Sequence, residues 1–244
     1  MASIKLIQLN IERDKHLEQI LPFLLEQEPD VVCVQEIADH SVKRFTEGLG
    51  LYGHFVPMNT RADDGVPHIQ GIALFSTIPF TKTWSVQYAG NTSVLPTYNG
   101  DTPESKHTTQ RFELAYAELL KDDVLFRIAT THFPWTAEGG TTDFQREDME
   151  KMIHILAENG EVVLAGDFNA PRGGEIFSLL AAKYKDNVPA EYTSSIDGAL
   201  HRAGPLELMV DSIFSSPRYS VTDVAMHTGV SDHCAIVSTI ETEN

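Results

Sequence analysis

A chain of 244 residues with 42% hydrophobic content can build one large α/β or all-β core, or two small ones. No run approaches the roughly 18 consecutive apolar residues of a membrane span, and Met1-Ala2-Ser3 passes straight into a strand-like run, so no secretory signal is expected and cytoplasmic residence is. Lys and Arg number 18 against 35 Asp and Glu, a formal charge of −17 that repels polyphosphate backbones and argues against tight nonspecific duplex binding, although a bound divalent cation inverts such a potential locally.

Residues 4–10 form a short apolar run that reads as a strand ending at Asn10. Asp14 is placed to cap a helix carrying Leu17, Ile20, Leu21, Leu24 and Leu25 at helical spacing, with Pro22 expected to kink or break it. Pro29-Asp30 stops that helix, and residues 31–36 read as a buried strand ending in Glu36, which completes a strand–helix–strand crossover. Residues 41–49 suggest a short helix, and strand candidates follow at 52–58, 69–76 and 82–88. The polar stretch 91–109, with Pro96, Gly100 and Pro103, reads as an exposed loop. A hairpin over 112–120 and 124–131 turns at Lys121-Asp122-Asp123 and leads into His132. A helix from about 143 to 159 carries Met149, Met152, Ile153 and Leu156 as its apolar stripe.

Val162-Val163-Leu164-Ala165 runs directly into Gly166-Asp167-Phe168-Asn169, a buried strand delivering polar groups at its C-terminal end. On a strand, Asp167 and Asn169 share a face while Phe168 packs behind. Pro171-Arg172-Gly173-Gly174 opens a helix over 175–184, residues 185–207 are irregular, and 208–214 is another strand. The last strands, about 219–226 and 234–240, flank a loop carrying Ser231-Asp232-His233. Cys33 and Cys234 sit in apolar runs at unrelated spacing and read as buried thiols, not a zinc motif. Strands outnumber helices, with no repeats or linkers, so residues 1–244 read as a single domain of two packed sheets flanked by helices.

A shared feature then emerges: apolar runs deliver Asn10, Gln35-Glu36, His132, Asp167 with Asn169, and Asp232-His233 at or beside their ends, with Asp211 inside a further strand. Each alone is an ordinary cap, turn or core group. Together with Gly71-Ile72-Ala73-Leu74-Phe75-Ser76 and Val210-Asp211-Ser212-Ile213-Phe214, in this order and over nearly the whole chain, they make it resemble the endonuclease/exonuclease/phosphatase superfamily. That resemblance implies a four-layer αββα sandwich of two mainly antiparallel mixed sheets flanked by helices. It also implies hydrolysis of phosphate esters with a divalent cation, magnesium or else manganese or another such ion.

By the same resemblance Glu36, Asn10 and Asp232 belong to the metal site, Glu36 supplying the hard oxygen that magnesium favours. Asp167 aligns or deprotonates the attacking water, and Asn169 holds that water or a phosphoryl oxygen. His233 and His132 contact the phosphate, with Asp211 fixing the His233 ring and raising its pKa.

Which ester is cleaved is less legible. Where abasic-site endonucleases of the superfamily typically carry Tyr, this chain has His132, which is similar to the deoxyribonuclease, sphingomyelinase, inositol-phosphatase and tyrosyl-DNA phosphodiesterase branches. A phosphodiesterase acting on nucleic acid or its ends is the leading expectation. A phosphatase or phospholipase C on inositol phosphates or sphingomyelin, and a noncatalytic phosphate-binding module, are the alternatives. Selection is assigned to segments 59–68, 91–109, 134–142 and 185–207. Trp135 stacks on a base, walls a lipid or simply packs; Arg111 and Arg172 meet phosphates or surface carboxylates; His201 contacts substrate. No basic stripe with interleaved aromatics supports tracking along nucleic acid. Oligomeric state leaves no mark in the sequence.

Overall fold

A computed structural model describes residues 2–63, 65–91 and 94–242. The elements in order are β1 (Ser3–Asn10), α1 (Leu17–Gln27), β2 (Val31–Ala38), α2 (Val42–Thr46), β3 (Tyr52–Asp63), β4 (Val66–Ser76), β5 (Phe80–Gly90) and α3 (Pro103–Thr108). Then come β6 (Arg111–Lys121), β7 (Val124–His132), α4 (Asp143–Glu158), β8 (Val163–Asp167), α5 (Glu175–Ala181), β9 (Lys185–Asp186), β10 (Asp211–Ser215), β11 (Tyr219–His227) and β12 (Ala235–Thr242). They form two six-stranded sheets, ordered β11-β12-β1-β2-β4-β3 and β5-β6-β7-β8-β10-β9. Each sheet is antiparallel except for one parallel pair, β1 with β2 and β7 with β8. This is the two-sheet α/β sandwich the motifs imply.

Strand periodicity sorts the side chains into layers. In β1, Ile4 and Leu6 join the large core that reaches across to the second sheet, while Ile7 and Leu9 face the other way with Leu17, Ile20 and Leu24 of α1. In β2 the same split places Val31 and Cys33 inward and Val32 and Val34 on the helix side. Met149, Met152 and Leu156 of α4 and Ile176, Phe177 and Leu180 of α5 pack against the second sheet. The β6–β7 hairpin turns at Asp122 and Asp123, both with positive φ (51° and 62°), the mirror-image turn whose twist suits a two-residue connection.

Several local expectations are corrected. Asp14 does not cap α1: the N-cap is His16, without a side-chain bond, and Asp14 instead accepts from Ser41 Oγ (2.5 Å) and contacts His40. The helix runs through Pro22, and Leu25 is 63% exposed rather than part of the stripe. The 91–109 segment holds a short helix, α3, whose Thr102 and Ser105 form a reciprocal capping box. Residue 64 of segment 59–68 and residues 92–93 of segment 91–109 lie outside the described residues. Helix α5 ends at Ala181, and Asp211 opens β10 instead of standing inside it.

Strand register explains how distant residues meet. Asn10 pairs with Gln35 across β1–β2, His132 with Asp167 across β7–β8, and Asp167 with Asp211 across β8–β10. The β2–β4 ladder slips between Val34 and Ile37, so Gln35 and Glu36 sit in a bulge, with Glu36 at φ 60°. Such a bulge interrupts strict in–out alternation and re-aims a side chain. Buried Gln35 therefore points into the protein while its neighbour Glu36 stays only partly exposed.

Candidate active site

Asp167, at the end of β8, is 1% exposed and lies at the centre of the polar cluster. Its Oδ2 accepts Asn10 Nδ2 at 3.1 Å and faces His132 Nε2 at 3.5 Å and His233 Nε2 at 4.0 Å. Its Oδ1 accepts the Asn169 backbone N–H at 2.8 Å. Burial, reinforced by the Asp211 charge, pushes the Asp167 carboxyl above its ordinary range, against the opposing charges of His233 and His132. The expectation that Asp167 and Asn169 share a strand face does not hold, because β8 ends at Asp167 and Asn169 turns left-handed at φ 47°. Its Nδ2 donates to the Phe133 carbonyl at 2.9 Å, so the residue ties the ends of β7 and β8 together.

His233 Nδ1 meets Asp211 Oδ2 at 2.7 Å. Burial alone would lower this imidazole's pKa; the Asp211 charge and hydrogen bond, then Asp167 and Asp232, overcome it and raise the group well above its usual value. Asp211 is fully buried and held from below: its Oδ1 accepts Gln8 Nε2 at 3.2 Å, and its N–H donates to Ser195 Oγ at 3.0 Å. Gln8 and Gln35 exchange amide bonds (2.5 and 2.9 Å), and Gln35 donates to Thr130 Oγ1 at 2.8 Å. A closed polar network thus joins β1 and β2 of one sheet to β7 and β10 of the other beneath the cluster.

Glu36 Oε1 accepts Asn10 Nδ2 at 3.3 Å, and its Oε2 accepts Gln70 Nε2 at 3.2 Å beside Arg13 Nη1 at 3.7 Å. Burial would raise its carboxyl; the charges of His132 and Arg13, the Asn10 bond and His233 together hold it low. Asp232 behaves oppositely: burial pushes it up to about 6, with Glu12 and Glu36 adding to the shift and His233 opposing it. Glu12, His16 and Asp232 place ligand atoms within 4.8 Å of one another, as do Asp167, Asp211 and His233. Glu12 and Arg13, consecutive left-handed residues at φ 42° and 65°, were not anticipated. The usable signal was Asn10-Ile11-Glu12, an alternation continuing past the strand end, where Asn10 Oδ1 accepts the Glu12 N–H at 3.1 Å. Carboxylates this close, several partly desolvated, form an oxygen-rich donor set that fits a hard divalent cation.

The expected substrate contacts divide. Trp135 is 38% exposed, and Lys106 Nζ lies 3.3 Å from its ring centroid. His201 stands close to the cluster: burial lowers its pKa, and the charges of His233 and Arg202 add to that shift. Arg172 is not a free fork for phosphate. Its Nη2 bonds Asp186 (2.8 Å) and the Val188 carbonyl (2.9 Å), and its Nη1 bonds the Pro189 and Tyr192 carbonyls, so it organises the 185–192 segment. Arg111 has a buried Nε without a hydrogen-bond partner and Glu113 as a charged neighbour, and no contact among the described residues joins it to the cluster. Among the described residues, no helix is long and apolar enough to cross a membrane.

Comparison with known proteins bears on this arrangement. The model of the Endonuclease/Exonuclease/phosphatase family matches residues 7–233. No curated protein matches the chain. Among solved structures, an endonuclease/exonuclease/phosphatase from Bacteroides vulgatus is 17% identical, with a TM-score of 0.74 over 100% of both chains. The human Nocturnin catalytic domain with bound sulfate anion is 19% identical, with a TM-score of 0.74 over 99% of this chain and 95% of that one. A Bacteroides thetaiotaomicron mannosyl-6-phosphatase is 14% identical, with a TM-score of 0.67 over 99% and 100%.

Proposed function

The chain belongs to the endonuclease/exonuclease/phosphatase family, whose members are divalent-metal-dependent phosphoesterases, and on that premise we propose that it hydrolyses phosphodiesters at nucleic-acid ends or in small nucleotides. The observation that carries the proposal is Asp167 Oδ2 flanked by two imidazole Nε2 atoms, at 3.5 and 4.0 Å, and bonded to Asn10 Nδ2, which also donates to Glu36. A net charge of −17 and the lack of a basic stripe favour a terminus or a small molecule over an extended polyanion.

Glu36 and Asp232 would hold the cation, magnesium by their hard oxygens, with Asn10 bonded to Glu36 beside them. When bound, it polarises a phosphoryl oxygen and offsets charge on the leaving oxygen. Asp167 receives the proton of the attacking water at Oδ2, and its raised carboxyl pKa strengthens it as a base. His233, protonated and fixed through Nδ1 by Asp211, turns Nε2–H toward the phosphate, and His132 Nε2 approaches from the β7 side. Asn169 fixes the loop that carries Asp167.

A phosphatase reading is favoured by the structural likeness to the mannosyl-6-phosphatase. The test is a panel in magnesium: oligonucleotides with blocked and free ends, dinucleotides, sugar and inositol phosphates, and sphingomyelin. Release of nucleotides from free ends is the expected result. Turnover of monoesters alone supports the phosphatase reading, and no turnover together with no calorimetric metal binding overturns both. Glu36→Gln is expected to weaken magnesium binding at least tenfold in that titration; an unchanged isotherm removes Glu36 from the metal site.

A further inference from the structure

Arg13 has no role in this reading, yet it touches the cluster directly. It lies just past the end of β1, where Glu12 and Arg13 are both left-handed, and its guanidinium stands among three carboxylates. Nε is 2.8 Å from Asp63 Oδ2, Nη1 is 3.7 Å from Glu36 Oε2, and Nη2 is 3.6 Å from Glu12 Oε1. The three acids are not equivalent. Glu12 also pairs with Lys15 and, at 3.0 Å, with His16. Asp63 also has Arg61 Nε at 3.3 Å and His68 Nε2 at 3.8 Å. Glu36 has no other Lys, Arg or His nitrogen within 4.0 Å among the described residues.

Asp63 ends β3 and anchors the guanidinium by its Nε side. On the same hairpin Arg61 Nη1 donates to Gln70 Oε1 at 2.9 Å, and Gln70 Nε2 donates to Glu36 Oε2 at 3.2 Å. Glu36, Arg13, Asp63, Arg61 and Gln70 thus form a closed ring of side chains that fastens the β3–β4 hairpin to the bulge in β2. Within it, the terminal Arg13 nitrogens stand beyond hydrogen-bond reach of Glu36 and Glu12. The guanidinium therefore neutralises Glu36 from close by without tying up its oxygens, and it carries its charge at every working pH. A permanent positive charge stands beside the carboxylate assigned to a positive ion, and two like charges there repel.

We propose that Arg13, anchored by Asp63, is a built-in counter-ion of the metal carboxylate: it neutralises Glu36 in the metal-free chain and competes with the divalent cation for it. Arg13 then sets how much magnesium the site requires, stabilising the empty cluster while lowering its affinity for the ion. It is a positioning residue acting through Glu36, and the inference rests on the reading of Glu36 as a metal ligand.

The test is a calorimetric magnesium titration of the full chain, with no substrate present. Arg13→Gln is expected to bind magnesium about tenfold more tightly than the wild type, the size of a Coulomb repulsion at a partly solvated site. Arg13→Lys keeps the charge and is expected to stay within about threefold of the wild type. Arg13→Met, which keeps the apolar stem, is a second neutral variant held to the same expectation as Arg13→Gln should that one fail to fold. In chelator the neutral variants are expected to melt below the wild type, and magnesium is expected to raise their melting temperature by more. Unchanged or weaker magnesium binding by the neutral variants overturns the counter-ion. So does tightening by Arg13→Lys equal to theirs, because charge would then not be the cause. A Glu36→Gln isotherm like the wild type's removes the metal-site reading itself; weakening there with no gain in the neutral Arg13 variants removes the counter-ion alone.

Discussion

Asp211 presents one carboxylate oxygen to Gln8 and the other to His233, so both acceptor positions are in use. An Asn side chain at this position has only one oxygen, and one of those two donors must lose its partner. Asp211→Asn also removes the charge that offsets burial at His233, and the imidazole pKa falls. If the imidazolium is the working form, the alkaline limb of kcat/KM moves to lower pH, and the rate at neutral pH drops by about a hundredfold or more. A pH–rate profile of the variant checks both; an unmoved limb assigns that limb to another group. Asp167→Asn alters the base itself and is expected to reduce turnover by roughly a thousandfold while leaving the melting temperature nearly intact. Turnover within tenfold of the wild type would take the proton-accepting role from Asp167.

At the scale of elements, the β7–β8 pair sets the distance between His132 and Asp167, and Gly166 sets how closely those strands approach. A Cβ at Gly166 would lie 2.4 Å from the Thr131 carbonyl oxygen, a backbone atom unable to move aside. Gly166→Ala is expected to destabilise the chain by about 1–3 kcal/mol and to spread His132 from Asp167, lowering activity along with melting temperature. Denaturant melts and rates measured together test the coupling: a stability loss with normal turnover separates the strand spacing from the site. The strands, the β1–α1–β2 crossover and the motif residues were readable because they follow from periodicity and from polar groups at strand ends. What escaped depends on contacts far along the chain. The bulge at Glu36 is set by β2's register on β4, and the turn of Asn169 away from the strand face by its bond to the Phe133 carbonyl, 36 positions back. Arg172 looked available from the sequence because nothing local shows the carbonyls of 188, 189 and 192 folding back onto it. Lys106 carried no local mark at all; its place over Trp135 comes from α3 docking on α4 through His107.

For the whole molecule, the acidic cluster gathers buried carboxylates whose mutual repulsion a bound cation would offset. Asp232 is raised to about 6 by burial and by Glu12 and Glu36, against an ordinary value of 3.8. A group raised in the folded state stabilises fully below its unfolded value, and that contribution is lost as pH rises through the folded one. His233, raised well above 6.5, extends the same sign of slope to higher pH, whereas Glu36, held low, acts in the opposite sense and only below about 4.5. Metal-free protein is therefore expected to lose stability as pH climbs from about 5 to 8. A divalent cation binding the ionised carboxylates favours the folded state by about 2.7 kcal/mol at a hundredfold excess over its dissociation constant. In a chain of this length that raises the melting temperature by several degrees, about 2–4 °C per kcal/mol. The cation competes with protons for Asp232, so its benefit grows with pH and flattens the metal-free slope. Melting curves from pH 5 to 8 in chelator and in magnesium decide the point. Parallel curves, or a metal-free chain that gains stability with pH, would mean that the buried carboxylates are neutralised by their histidine and arginine neighbours and need no cation.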